Sequence, residues 1–498
     1  MAQPFRVLIV SSEVAPLAST GGLGRSVAGL AGALKNLGVD VRVVMPKYNP
    51  LASSTSGLAR LVPKMRIRSV NRFGETAIYR DELPVDLPIY LIEKDKYFER
   101  DYLYGPPGES FPDNAERFCF FSLCTLEMLA QIGFFPDVLH CHDWHTGLVP
   151  AYLRMLFHND PLYAHITTLF TIHDIIHQGC FSKETVGLTG LPDTVYTPDG
   201  LEFYGKMSFL KSGIVYADVL TTESKRYSQE IRTPEYGNGF AELLQARSKN
   251  LYGVVNGVDY KHYNPRLDPF IAANYAKDEI EKKALCKLDL LATCELPRQP
   301  ERPVVGMIAP FDEQKGIDLF LRSLPGMAAL DVQCIFVNRE GFRENPYIGQ
   351  LNELAAQYGN HIRIYRDYDQ RLEHKILAGA DFLLMPSKSE PCGELQMYSL
   401  EYGTIPIVRA TGGLDDTVQE FSPESSKGNG FKFQAYTPEA LLAAVGHALA
   451  VYRNQALWDL LRTNAMRADY SWVYTAKKYL DLYNVAKNKA SLSPIASV

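Results

Sequence analysis

The 498-residue sequence has no Cys-x-x-Cys pair; its eight cysteines stand apart at 119, 124, 141, 180, 286, 294, 334 and 392. Zinc ribbons and disulfide scaffolds need paired spacings, so free thiols in a reducing cytosol are expected, seven of them as small core residues. Long apolar runs are also missing. Val7 to Val10 is too short for a signal-peptide core, and no stretch approaches the length that spans a bilayer, so a cytoplasmic protein without membrane contact is expected. Positive charge is not in excess either: 51 Lys and Arg against 57 Asp and Glu leave a net charge of -6. That balance gives no footing for nucleic acid. There is no short-period repeat and no low-complexity tract.

What is present is ordinary for a globular chain, with 46% hydrophobic and 22% charged residues. At about 150 residues per domain, the length predicts two or three domains with cores that need no staples. Short apolar runs alternate with helix-period segments, as in parallel sheets. Strands are expected at Val7 to Val10, Val41 to Met45, Val138 to Cys141, Thr168 to Ile172 and Val219 to Thr222. A Gly/Ser-rich loop from Ser11 to Gly24 leads to a helix over Ser26 to Leu37. After a charged helical stretch (Lys277 to Lys287) and a Pro/Arg-rich patch (Pro297 to Pro303) the pattern restarts. Strands follow at Val304 to Ile308, Ile335 to Val337, Ile362 to Tyr365, Phe382 to Met385 and Ile405 to Val408. Ile317 to Leu321 falls on a helix, and Thr437-Pro438-Glu439 is a well-formed helix start. The expected fold is α/β, two Rossmann-like doubly wound domains facing across a cleft. Ligands in such sheets sit at the carboxyl ends of strands.

Several polar motifs fall at those ends. Thr20-Gly21-Gly22-Leu23-Gly24 lets backbone N–H groups approach an anion at a helix N-terminus; a tight strand-to-helix turn is the plain alternative. His140-Cys141-His142-Asp143-Trp144-His145 holds three histidines, but alternation along a strand keeps them from converging on a metal. Asp143 is placed to bind a sugar hydroxyl or to cap the following helix. His173 ends another strand. Lys315, in Gln314-Lys315-Gly316, can meet a phosphate or be a solvated helix-start lysine. Glu390 is held between Pro391-Cys392-Gly393 and Pro386-Ser387, and Thr411-Gly412-Gly413 is a further glycine turn.

Taken in order, these motifs resemble those of bacterial glycogen synthases and plant starch synthases over nearly the whole chain. The similarity includes Ser12-Glu13-Val14-Ala15-Pro16, His142-Asp143-Trp144-His145, Thr171-Ile172-His173, Gln178-Gly179, Lys211-Ser212-Gly213, Asn256-Gly257-Val258-Asp259, Ser389-Glu390-Pro391-Cys392-Gly393 and Asp469-Tyr470-Ser471-Trp472. The resemblance implies a GT-B glycosyltransferase that moves glucose from ADP-glucose to the non-reducing end of an α-1,4-glucan with retention, using no cofactor and no required metal. It implies an acceptor-side domain over 1–251, a nucleotide-sugar domain over 252–470 and a crossover helix over 471–498. His173, Glu390 and Lys315 are then catalytic. Ser19, Gly21, Gly22, Tyr368 (on adenine), Cys392, Gly393, Glu394, Thr411 and Gly412 bind the donor, and Asp143 and Asn256 contact sugar.

Seven positions depart from the family pattern. Ser19 replaces a lysine, Arg25 an acid, Pro310 an arginine, Asp174 an asparagine and His177 a tyrosine, while Glu394-Leu395 stands for Leu-Thr. Two cations expected at the diphosphate are gone and an acid is added. An inward Arg25 or a divalent ion would compensate. Three readings stay open: an active synthase with a rebuilt donor site, which the survival of His173, Lys315, Glu390 and Tyr368 favours; a weak or inactive homologue that binds glucan or protein; and a transferase using another nucleotide sugar.

Overall fold

The computed structural model describes residues 5–49, 58–339 and 346–492. The chain divides into two compact units. The first comprises residues 1–223, 228–257 and 472–498, and the second 224–227 and 258–471.

The first unit is built on a nine-stranded sheet. From edge to edge it runs Leu251–Gly253, Val219–Thr222, Thr167–Ile172, Val138–His142, Arg6–Val10, Asp40–Pro46, Leu87–Glu93, Glu75–Leu83 and Ala59–Arg66. The first seven pair in parallel and the last two antiparallel. Val7 to Val10 and the whole of Thr167–Ile172 are buried, which is why they read as unbroken apolar runs rather than alternating ones. Chain order reverses between Arg6–Val10 and Val138–His142, so a topological switch point lies there.

Two features differ from the sequence expectation. The strands Ala59–Arg66, Glu75–Leu83 and Leu87–Glu93 extend the sheet's edge, and Ala59–Arg66 is mostly exposed, so it carries no apolar run to be read. The helix expected from Ser26 starts four residues earlier, spanning Gly22–Asn36. Glycine is tolerated in a first turn, so the glycine motif is the helix N-terminus itself rather than a loop before it. The closing helix Trp472–Leu492 packs on this unit: Tyr483 stacks on Phe5, and its hydroxyl meets His140 Nδ1 at 2.8 Å.

The second unit carries six parallel strands ordered Ile362–Tyr365, Gln333–Asn338, Val304–Ala309, Phe382–Met385, Ile405–Arg409 and Phe431–Phe433. Its switch point lies between Val304–Ala309 and Phe382–Met385. Helices Ile317–Ala329 and Pro438–Tyr452 cover the sheet through Phe320, Leu324, Leu441, Val445 and Leu449, all within one apolar core. Thr437 caps the second of these helices by accepting from the Ala440 N–H, as its Thr-Pro-Glu start predicts. No helix among the described residues is long and apolar enough to cross a membrane.

Candidate active site

In the first unit, polar residues follow the ends of four neighbouring strands. Glu13 follows Arg6–Val10, Asp143 follows Val138–His142, His173 follows Thr167–Ile172, and Glu223 follows Val219–Thr222. Asp143 is 6% exposed and its Oδ1 accepts the His173 N–H at 2.8 Å. The capping reading of Asp143 is corrected here: its side chain makes no cap bond to the turn Trp144–Thr146, because it is spent on the next strand. His173 Nδ1 pairs with Glu223 Oε1 at 2.5 Å, and Nε2 lies 2.8 Å from His142 Nδ1. Asn256 Nδ2 donates to Glu223 Oε2 at 2.7 Å and to Ser26 Oγ at 2.9 Å, which ties the cluster to the first turns of the helix Gly22–Asn36.

Charge follows this geometry. Burial opposes a charge on His173, but Glu223 and Asp143 outweigh it, and the imidazole is pushed up to about 9. Burial raises the Asp143 carboxyl to about 6 against the pull of His173. His142 is held well below its usual value by burial and by the neighbouring imidazoles. The three histidines of the motif do not meet. His140 and His142 share a face, with ring centroids 4.1 Å apart, while His145 stacks on Trp144 at 3.9 Å. Among the described residues no group of three or more His, Cys, Asp or Glu is arranged to hold a metal ion.

The Ser19-to-Gly22 segment is braced from below. Glu13 is 2% exposed, and its carboxylate accepts the Thr20 N–H, the Thr20 hydroxyl and the Tyr104 hydroxyl, each at 2.7 Å. Ser19 is exposed and its hydroxyl donates to the Gly21 carbonyl, while Arg25 lies on the exposed side of the helix. A Cβ at Gly21 or Gly22 would meet nothing within 4 Å, so neither glycine is required there by a close neighbour.

The second unit holds a cavity of about 70 Å³ at its switch point. Pro310, Lys315, Arg339, Ser387, Glu390 and Glu394 are among the residues that line it. Lys315 is not a solvated helix-start lysine. Its Nζ reaches both carboxylate oxygens of Glu390, at 2.7 and 2.8 Å, and Ser387 Oγ donates to Oε2 at 3.1 Å. Two glycines make this possible. Gly316 has φ +82°, and a Cβ there would stand 2.3 Å from the Pro386 carbonyl oxygen. Gly412 has φ +44°, and its Cβ would stand 1.9 Å from the Glu390 carbonyl oxygen. Only glycine fits such a backbone at such a distance.

Of the other expected donor residues, Gly393 and Glu394 line the cavity and Cys392, Thr411, Gly412 and Tyr368 do not. Cys392 is 5% exposed and packs against Gly413, and Thr411 is buried at the start of Gly412–Thr417. Tyr368 is 38% exposed and donates to Glu373 Oε2 at 3.0 Å. Glu13, Glu223 and Arg339 are absent from the sequence-based site. The signal that could have found them is placement: each stands within three residues of the carboxyl end of a parallel strand.

Two doubly wound units, each with a polar cluster at its switch point, define a GT-B glycosyltransferase. The first unit matches the starch synthase catalytic domain over residues 6–246, and the second matches glycosyl transferases group 1 over 295–456. A glycogen synthase of Syntrophotalea carbinolica is 42% identical over 97% of this chain and 99% of its own length. Glycogen synthase 2 of Geobacter sulfurreducens is 40% identical over 97% and 99%. The structure of the catalytic domain of starch synthase IV from Arabidopsis thaliana, bound to ADP and acarbose, superposes with a TM-score of 0.85 at 30% identity. It covers 98% of this chain and 100% of that one. The chain belongs to the glycogen and starch synthase family.

Proposed function

We propose that the protein transfers glucose from ADP-glucose to the non-reducing end of an α-1,4-glucan, with retention of configuration. The observation that carries this is the Lys315–Glu390 pair in the switch-point cavity, in a chain 42% identical to a glycogen synthase. As the glycosidic bond breaks, negative charge grows on the departing diphosphate and the sugar becomes oxocarbenium-like. In the second unit Lys315 meets the diphosphate, Glu390 holds the sugar ring and Tyr368 stacks on the base. Cys392, Gly393, Glu394, Thr411 and Gly412 shape that donor pocket, and Gly412 fixes the height of the Glu390 backbone. In the first unit, the acceptor side, His173, Asp143 and Asn256 contact sugar, and Ser19, Gly21 and Gly22 bind an anionic group through their backbone. The reaction runs in the cytoplasm, where the free thiols are stable, and needs no cofactor.

Ser19 and Pro310 favour one second reading, a weak homologue that binds glucan without turnover. Neither brings a charge to the places where the family pattern has a lysine and an arginine, and losing one such contact costs on the order of 100-fold in rate. Incubation with ADP-[14C]glucose and glycogen separates the two readings. Label incorporated as β-amylase-sensitive outer chains supports the synthase, and glycogen binding without incorporation supports the second reading.

A further inference from the structure

The missing cations raise the question of what else neutralises the diphosphate. Arg339 follows the strand Gln333–Asn338, and its N–H bonds to the Ala309 carbonyl at 3.2 Å, so its backbone is fixed beside the end of Val304–Ala309. The residue after Ala309 is Pro310, where the family arginine is lost. Arg339 lines the same cavity as Pro310, Lys315, Glu390 and Glu394, and its side chain is 25% exposed. Its Nε pairs with Glu373 Oε2 at 3.4 Å. Glu373 is fully buried and also accepts the Tyr263 and Tyr368 hydroxyls, at 2.7 and 3.0 Å.

We propose that Arg339 is the second cation of the donor site, binding the diphosphate of the nucleotide sugar in place of the arginine lost at Pro310. The inference rests on the donor role given above to this cavity. Three observations support it. A guanidinium offers five N–H donors in a fixed fork, more than one 3.4 Å ion pair uses. Through Glu373 it is joined to Tyr368, the ring assigned to the base, and it lines the same cavity as Lys315, the residue assigned to the diphosphate. Burial works against its charge, but Glu373 and Glu394 hold it, so the site keeps a cation at every working pH. Glu394 then has a role: in the empty cavity it balances Arg339, and an arriving diphosphate displaces it.

Calorimetric titration of ADP, with adenosine measured by competition, tests this on the whole chain. Arg339→Ala weakens ADP by about 10- to 100-fold and leaves adenosine within about twofold, the loss expected for charge-assisted bonds to phosphate. Arg339→Lys retains part of the affinity, and Glu394→Gln tightens ADP several-fold. Arg339→Gln keeps the stem and stands in if the alanine variant does not fold. Unchanged ADP affinity in Arg339→Ala or Arg339→Gln overturns the proposal. So does an equal loss for ADP and adenosine, which would mean that Arg339 only holds Tyr368 in place. A wild-type protein that binds no ADP removes the donor reading of the cavity, and this role with it.

Discussion

Replacing Lys315 by methionine keeps most of its stem and deletes its charge. Glu390, 6% exposed, would then keep a buried carboxylate with Ser387 as its remaining side-chain donor in the cavity. Removing one partner of a fully buried ion pair costs about 3–5 kcal/mol. Lys315 is a quarter exposed, so water reaches the gap and the expected loss falls to about 1–3 kcal/mol. Glu390→Gln alone leaves an ammonium that solvent can reach and costs less. Lys315→Met with Glu390→Gln leaves no buried charge, so the double variant is more stable than Lys315→Met by about 1–2 kcal/mol. Urea unfolding, followed by second-unit tryptophan Trp458, reads the cycle. Glucose transfer falls by about 100-fold or more in each single variant, and the double variant, though more stable, does not regain it. If Lys315→Met unfolds at the wild-type urea concentration, or keeps transfer within twofold, the pair does not have the place given to it here.

Three further outcomes are expected. Gly412→Ala forces a Cβ to within 1.9 Å of the Glu390 carbonyl oxygen. It should lower kcat by about 100-fold with a loss of about 1–3 kcal/mol in stability, and a kcat near wild type would show that the Glu390 backbone height is unimportant. Ser19→Lys restores a cation and should raise kcat/KM by about tenfold, mainly through kcat, whereas Pro310→Arg should leave it within about threefold because Arg339 lines the same cavity and fills that place; a rate that falls in Ser19→Lys would mean that the loop does not approach the diphosphate. The third concerns pH: the folded His173 value, raised from 6.5 to about 9, contributes stability that is complete below pH 6.5 and is lost as pH rises through 9. At about 1.4 kcal/mol per pH unit it amounts to something on the order of 3 kcal/mol. Unfolding of the first unit measured from pH 6.5 to 9.5 should show that fall in wild type and little of it in Glu223→Gln, and equal slopes would disprove the pairing.

Most of the parallel strands were legible because both faces are covered: Val7 to Val10 and Phe382 to Met385 announce themselves as apolar runs, whereas Leu87–Glu93, Leu251–Gly253 and Phe431–Phe433, also paired in parallel, were not read. The antiparallel strands between residues 59 and 93 were not, since an edge strand such as Ala59–Arg66 has little apolar pattern to show. Lys315 and Glu390 were each visible as polar residues beside glycine at strand ends. That they form one ion pair was not, because 75 residues separate them and only the sheet order brings their strands together. Asp143 misled in part: an aspartate before a helical turn has the pattern of a cap, and only the neighbouring strand shows that its oxygen goes to His173. Glu223 and Arg339 lie outside the motifs quoted for the resemblance, and each has meaning only through the partner that the fold puts against it.

The central claim is that this chain turns over ADP-glucose on glycogen despite Ser19 and Pro310. Initial rates of glucose incorporation into glycogen, with ADP-glucose or UDP-glucose at equal concentration and with EDTA present, test it most directly. The account predicts transfer from ADP-glucose that survives EDTA, exceeds that from UDP-glucose, and disappears in Lys315→Met. Absence of transfer from either donor, with glycogen still bound, would contradict it.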